Sequence, residues 1–313
     1  FAGAGELQPV GEPVATTGDV VLPRGESAFK LRMENPFPTA ESLELALRLP
    51  EGVREREPRH SFRLMPGEKR EIAIGLFSDR NLPQDEQIGI DLSFPGRQLS
   101  GALAFPIRPV AQIGGKFANS PDFTLSDAKQ LTTLVPADPA KAHLFWTGAQ
   151  DLSAQIYLAA DRNALKLKVV VIDDIHCQPF REDQVWSGDN LQIGLLIPGQ
   201  KKPWEIGLTR LADGTSASWG WAAPDGFSAP KAALAIRLKT ARDEEKKQTV
   251  YEAEIPFDAI GIDGSVPGRA IQFNLLVNDN DGEMRESYLR LTPGLGSERN
   301  PAAWYRLFLP PGK

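Results

Sequence analysis

About every ten residues this chain meets a glycine or a proline, and the runs between them are too short and too rich in Val, Ile, Leu and Phe to be amphipathic helices. Its 28 glycines and 26 prolines therefore act as corners. Short apolar strands between regular corners are the pattern of an all-β sandwich. In the first hundred residues the runs predict strands at 20–22, 28–33, 43–49, 61–64, 70–76, 88–94 and 103–107. The corners have a mechanism: Asn35-Pro36, Pro50-Glu51-Gly52 and Pro66-Gly67-Glu68 combine a fixed φ, a side chain that can bond the local backbone, and glycine freedom.

At residues 108–121 the text becomes RPVAQIGGKFANSP, with little periodicity and many turn formers, which reads as a linker. Two domains follow, 1–110 and 111–313, in keeping with a chain of 313 residues. The second half predicts strands at 155–159, 164–172, 191–197, 204–211, 217–221, 233–239, 249–255, 271–278, 288–291 and 305–309. About ten strands in this length imply a larger, jelly-roll-like sandwich. The run Leu165 to Ile172 first alternates and then turns continuously apolar, so it is expected at the centre of a sheet. Helix is confined to short turns at 126–131 and 257–260, and the charged run 242–247 reads as a solvated hairpin connection.

Several classes of function are excluded or disfavoured. A net charge of −6 with no basic stripe argues against a nucleic-acid partner. No run of about 18 apolar residues is present to span a membrane as a helix. The single cysteine, Cys177, makes no internal disulfide. His60, His143 and His176 lack the paired spacing of a zinc site, and neither a nucleophile elbow nor a phosphate-binding glycine loop occurs. The chain opens at Phe1 with no leader, so any targeting segment is expected to lie outside it.

Four blocks occur in a telling order: QIYLAADRNALKLKVVVIDD, then DQVWSGDNLQIGLLI, then VYEAEIPFDAIG and IQFNLLVNDNDGEMRESYLRL. Together they resemble the family 9 carbohydrate-binding modules and their DOMON relatives over about residues 120–313. The resemblance implies a non-catalytic, bacterial, secreted or cell-surface module, extracellular or periplasmic, with a glycan as ligand and other domains of a larger polypeptide as partners. It sets Trp186 at the position that stacks on a terminal sugar and Gln192 where the family has a hydroxyl-binding Glu. Glu205 or Arg210 would stand for the family's Arg, and Asn278 joins the same set. Family 9 modules commonly hold structural calcium, and the clusters Asp173-Asp174 and Asp279 with Asp281 offer the hard oxygens it prefers. In the first domain LPEGV followed by LMPGEKREIAI resembles immunoglobulin-like accessory domains of bacterial surface proteins, which act as spacers.

The residues themselves leave alternatives open. The family's second sandwiching Trp has no counterpart, because in GLGSERNPAAWYRL Trp304 falls too late and aligns with a core aromatic. Trp186 is then either a stacking face or a plug holding its loop to the sheet edge. Trp219 and Trp221 share one face by the two-residue period and read as packed rather than as a platform. The acidic clusters hold calcium or form Asx turns. Functionally, a carbohydrate-binding module stands against a structural or protein-interaction sandwich that has lost its sugar.

Overall fold

The structure, a computed structural model, describes residues 14–310 apart from 17, 19, 59, 83–85, 109, 263–269 and 297. The chain forms two compact units, 1–110 and 111–313. Among the described residues of the first, nine strands are laid down: β1 (Val14–Thr16), β2 (Val20–Val21), β3 (Gly25–Glu34), β4 (Glu41–Arg48), β5 (Val53–Glu55), β6 (His60–Leu64), β7 (Lys69–Ser78), β8 (Gln87–Phe94) and β9 (Leu99–Arg108). They pair into two sheets, β1-β3-β7-β5 and β2-β9-β8-β4-β6, with β2 running parallel to β9. Between the sheets lies one apolar core to which β3 contributes Phe29, Leu31 and Met33, and β8 contributes Ile88, Ile90 and Leu92. Each strand supplies every second residue, as the pleat requires of a half-buried strand. The chain visits β5 on one sheet before returning to β6 on the other.

The second unit begins at β10 (Val110–Gln112) and continues through β11 (Phe123–Leu125), β12 (Leu131–Thr133), β13 (Leu152–Ala160), β14 (Ala164–Asp173), β15 (Asn190–Leu196), β16 (Trp204–Arg210) and β17 (Ser216–Ala222). Helix α1 (Ala229–Ala235) is followed by β18 (Arg237–Asp243), β19 (Gln248–Pro256), β20 (Ala270–Asp279), β21 (Ser287–Arg290) and β22 (Tyr305–Phe308). Again there are two sheets. One runs β11-β13-β14-β19-β18, and the other β10-β22-β20-β15-β16-β17 with β12 and β21 branching from β20. Its regular structure is nearly all strand, and the unit is an all-β sandwich. β14 lies between β13 and β19, fully paired on both sides, as its apolar run requires. Among the described residues no helix is long and apolar enough to cross a membrane.

One predicted strand is corrected. Residues 233–239 do not form a single strand: Ala229–Ala235 is helical and strand begins only at Arg237. The segment reads Ala-Pro-Lys-Ala-Ala-Leu-Ala, the composition with the highest helix propensity, and its proline sits in the first turn where no donor is needed. Its small face lets the helix lie close on β17, where a Cβ on Gly220 would meet the Ala229 carbonyl oxygen at 2.2 Å. Leu234 points away, 83% exposed.

The outer face of the larger sheet is filled by aromatic side chains over glycines. A Cβ on Gly194 would meet the Trp304 ring at 2.5 Å, and one on Gly207 would meet Trp221 at 2.4 Å. Trp304 thus sits flat on β15, its indole nitrogen donating to the Gly294 carbonyl at 2.9 Å, in a small core with Leu276, Tyr288 and Leu295. Gly194→Ala is expected to cost about 1–3 kcal/mol through overpacking against Trp304, read as a lowered midpoint in urea unfolding with an unchanged slope.

Candidate binding face and acidic pole

Two groups of side chains stand out in the second unit, and both follow from where its strands end and which way they alternate. On β15, Leu191, Ile193 and Leu195 enter the core, so Asn190, Gln192 and Gly194 face outward. On β16, Ile206 and Leu208 enter, leaving Glu205, Gly207 and Thr209 on the outer face. β20 adds Asn278 to that face, with Val277 and Leu275 in the core. Gln192, Glu205 and Asn278 are therefore brought together, all buried under the surrounding loops.

Their hydrogen bonds set which atoms they present. The Gln192 amide nitrogen donates to Glu205 Oε1 at 2.6 Å, and the other Glu205 oxygen accepts from Arg299 Nε. Because a carboxylate only accepts, this chain fixes the amide orientation and leaves Gln192 Oε1 buried without a partner. Asn278 donates its amide to Asn190 Oδ1, and its own Oδ1 is likewise unpartnered. Arg210 does not join this set. Alternation turns it to the other side of β16, where its guanidinium donates to the Gly214 carbonyl of its own hairpin at 2.8 Å.

Trp186 belongs to a 3-10 turn, Glu182–Ser187, whose first residue has a left-handed φ of 55°. The turn hangs from buried amides: Gln178 and Asn190 both donate to the Val185 carbonyl, at 2.9 and 2.8 Å, and Asn280 donates to the Ser187 carbonyl at 2.7 Å. Val185 is the turn's buried anchor, while Trp186 is 41% exposed. The Arg285 guanidinium lies over the Trp186 ring at 5.7 Å and over Tyr288 at 4.7 Å. Arg285 was not marked by the sequence reading; a lone arginine in GEMRESY carries no periodic or motif signal. Its Nε and Nη2 are buried without partners, and burial pushes its pKa down to about 10. Trp219 and Trp221 are half-buried, with Trp221 lying on Gly207 and donating to the Asp183 carbonyl at 2.9 Å.

The second group is a pole of carboxylates where strands of both sheets end. Register places Leu152 opposite Asp173 and Asp279 opposite Ser287, so Asp151, Asp173, Asp174, Asp279 and Asp281 meet at one end of the sandwich. Ligand atoms of Asp151, Asp174 and Asp281 lie within 4.8 Å of one another, as do those of Asp173, Asp279 and Asp281. All four of the predicted metal residues, Asp173, Asp174, Asp279 and Asp281, are gathered here. Asp151, Asp189 and Glu286 carry no such clustering in the sequence and were missed.

Two cations neutralise part of this charge. The Arg242 side chain is almost wholly buried, not solvated as its charged run predicts: it donates to the Asp173 carbonyl at 3.0 Å and Thr249 Oγ1 at 3.1 Å, with Asp173 Oδ2 at 3.4 Å. Its position at the end of β18, beside an acidic strand end, outweighs the polarity of its neighbours. His176 donates Nε2–H to the Arg210 carbonyl at 3.0 Å, while Nδ1 faces Asp189 at 3.1 Å and Asp173 at 3.6 Å. Burial opposes that charge, but the bonds to the two carboxylates outweigh it and hold the ring's pKa at about 9. Asp189, pushed up by burial and pulled back by His176, also accepts from the Cys177 and Asn280 amides.

Among the described residues, Asp279, Asp281, Glu286 and Asp174 have no such cation. Burial and their neighbours' charges push Asp279 to about 9, Glu286 to about 8 and Asp281 to about 6, and raise Asp174. Asp279 Oδ1 and Asp281 Oδ1 are buried with no hydrogen-bond partner. Unpaired hard oxygens gathered with net negative charge are the donors a divalent cation of the calcium type takes, and two triads could hold it, Asp151 with Asp174 and Asp281, or Asp173 with Asp279 and Asp281.

No protein-family model matches the chain, and no curated protein matches it. Among solved structures it is similar to a family 9 carbohydrate-binding module from Caldicellulosiruptor kristjanssonii in complex with cellotriose, at 16% identity and TM-score 0.41, covering 64% of this chain and 94% of that one. It is similar to the same kind of module from that organism in complex with glucose, at 16% identity and TM-score 0.41, covering 64% of this chain and 96% of that one.

The pole predicts a pH dependence. Unfolded carboxylates titrate near about 4, whereas Asp281, Glu286 and Asp279 hold protons in the folded chain up to about 6, 8 and 9. The folded state binds more protons throughout that window, so stability falls as pH rises through it. His176 acts in the same direction: its pKa rises from 6.5 unfolded to about 9, and its contribution is lost as pH climbs past that value. In the presence of a chelator the unfolding temperature of the second unit should drop steadily from pH 5.5 to pH 8.5, measured by calorimetry.

Proposed function

We propose that the second unit is a non-catalytic carbohydrate-binding module, and that it binds a glycan on the outer face of its larger sheet beside Trp186. The observation that carries this reading is the conjunction of an exposed ring with buried, unpartnered polar atoms on the same face. An indole face stacks on the apolar C–H face of a pyranose, and planar amides bond neighbouring hydroxyls. Gln192 Oε1 and Asn278 Oδ1 are acceptors whose burial without partners costs about 1–3 kcal/mol each, a cost that ligand hydroxyls would relieve. Glu205 acts through Gln192, fixing the amide, with Arg299 balancing its charge. The four ordered sequence blocks point the same way. Calcium at the pole would be structural: it would neutralise the strand ends from which the Trp186 turn hangs. The first unit is read as an immunoglobulin-like spacer, and the setting as a secreted or cell-surface glycan-processing system of a bacterium.

A second reading keeps the sandwich as a scaffold for a protein partner. The burial of Trp304 favours it, since the family's second stacking ring is then missing and Trp186 stands alone.

Affinity electrophoresis of the full chain against plant, algal and bacterial glycans separates the two. Retardation that falls about tenfold or more in Trp186→Ala, with the unfolding temperature unchanged, is the expected result. A folded chain retarded by none of these glycans would transfer the function to a protein partner.

Calcium added after chelation at pH 8 should raise the unfolding temperature of the second unit, and Asp281→Asn should abolish most of that rise. An unchanged temperature at millimolar calcium would remove the metal from the reading.

A further inference from the structure

The unassigned charge on the binding face is Arg285. Its guanidinium lies against two aromatic rings, and its Nε and Nη2 donors are buried with no acceptor. Among the described residues no carboxylate forms an ion pair with it. Glu286, next in the chain, turns both oxygens to the Asp281 amide at 3.0 and 2.9 Å. Glu205, the acidic side chain on the same face, is already matched by Arg299. The other polar groups there, Gln192, Asn190, Asn278 and Tyr288, are neutral. The face therefore carries one positive charge that no ion pair among the described residues balances.

Buried guanidinium donors without acceptors are costly, and ring faces offset only part of that cost. The two orphaned donors are also a matched pair. Nε–H and the adjacent Nη2–H form the side-on edge of the guanidinium, the edge that takes both oxygens of a carboxylate in a bidentate pair. A sugar hydroxyl would satisfy one donor and leave the charge.

We infer that the ligand of this face is an acidic sugar, a glycan unit carrying a carboxylate, with Arg285 pairing that carboxylate while Gln192 and Asn278 accept from its hydroxyls. This rests on the carbohydrate-binding reading and narrows it. Uronic-acid sugars supply both halves at once: the pyranose ring that stacks on Trp186 and the planar two-oxygen anion that fits the guanidinium edge. Arg285 sets the preference for charge, and Trp186 the affinity common to charged and neutral sugars.

The test compares pairs that differ only at C6. Titration calorimetry of the full chain with methyl glucuronide against methyl glucoside, and methyl galacturonide against methyl galactoside, is run at low ionic strength. The acidic member of at least one pair should bind about tenfold more tightly than its neutral partner. Arg285→Gln should erase that difference while retaining neutral binding, and Arg285→Lys, which keeps the charge and loses the fork, should keep part of it. Equal or tighter binding of the neutral members by the wild-type chain, or an equal loss for both members in Arg285→Gln, would overturn the inference and leave the sugar reading standing. Binding of neither member of any pair, together with no retardation in the glycan panel, would overturn the sugar reading, and this inference with it.

Discussion

Asp189 is the point on which the second unit turns. One buried carboxylate at the head of β15 faces the His176 imidazolium and accepts from the Cys177 and Asn280 amides, and so ties the larger sheet to the loop leaving β14. Asp173, across the sandwich, shares the same histidine and takes Arg242. A knot of this kind is weak evidence of stability, because desolvation offsets much of the attraction. Its effect is geometric: it fixes the strand ends against one another, and every group described at the pole and on the binding face takes its place from that register.

From that fixed end the sheet face is arranged by alternation and by two glycines. Gly194 and Gly207 give up their side chains so that Trp304 and Trp221 can lie flat on the strands, and the polar residues between them are hemmed in by rings. In such surroundings a hydrogen bond orients as much as it stabilises. Arg299 fixes Glu205, Glu205 fixes the Gln192 amide, and the result is an acceptor aimed where no protein donor meets it. The face is thus defined more by which atoms are left over than by which are bonded.

Much of the architecture was legible in the sequence because it is written in short-range signals. Gly and Pro corners bound the strands, and the apolar run of β14 marked its central place. Residues 233–235, the end of an Ala-rich helix, were misread as strand because their apolar content was counted without their helix propensity. Among candidate residues, Asp173, Asp174, Asp279 and Asp281 stood out as neighbours in sequence, and they do meet in space. Arg210 failed for a reason of parity, one residue along from the outward set. Arg242 was hidden in a charged run that is solvated everywhere except at its first residue, and Arg285 gave no local sign. Their significance comes from which strand ends the fold brings beside them, and no sequence window contains that.

The Trp186 turn and the acidic pole meet in Asn280, whose side chain holds the Ser187 carbonyl and whose flanking residues, Asp279 and Asp281, carry the unpaired oxygens. Such a strut cannot favour one direction. Whatever free energy an occupant of the pole lends to an occupant of the Trp186 face, the second must lend to the first in equal measure, because linkage between two binding equilibria is reciprocal. Were both occupied, a segment of three residues would make the two, one for charge and one for a ring, answer to each other's concentrations.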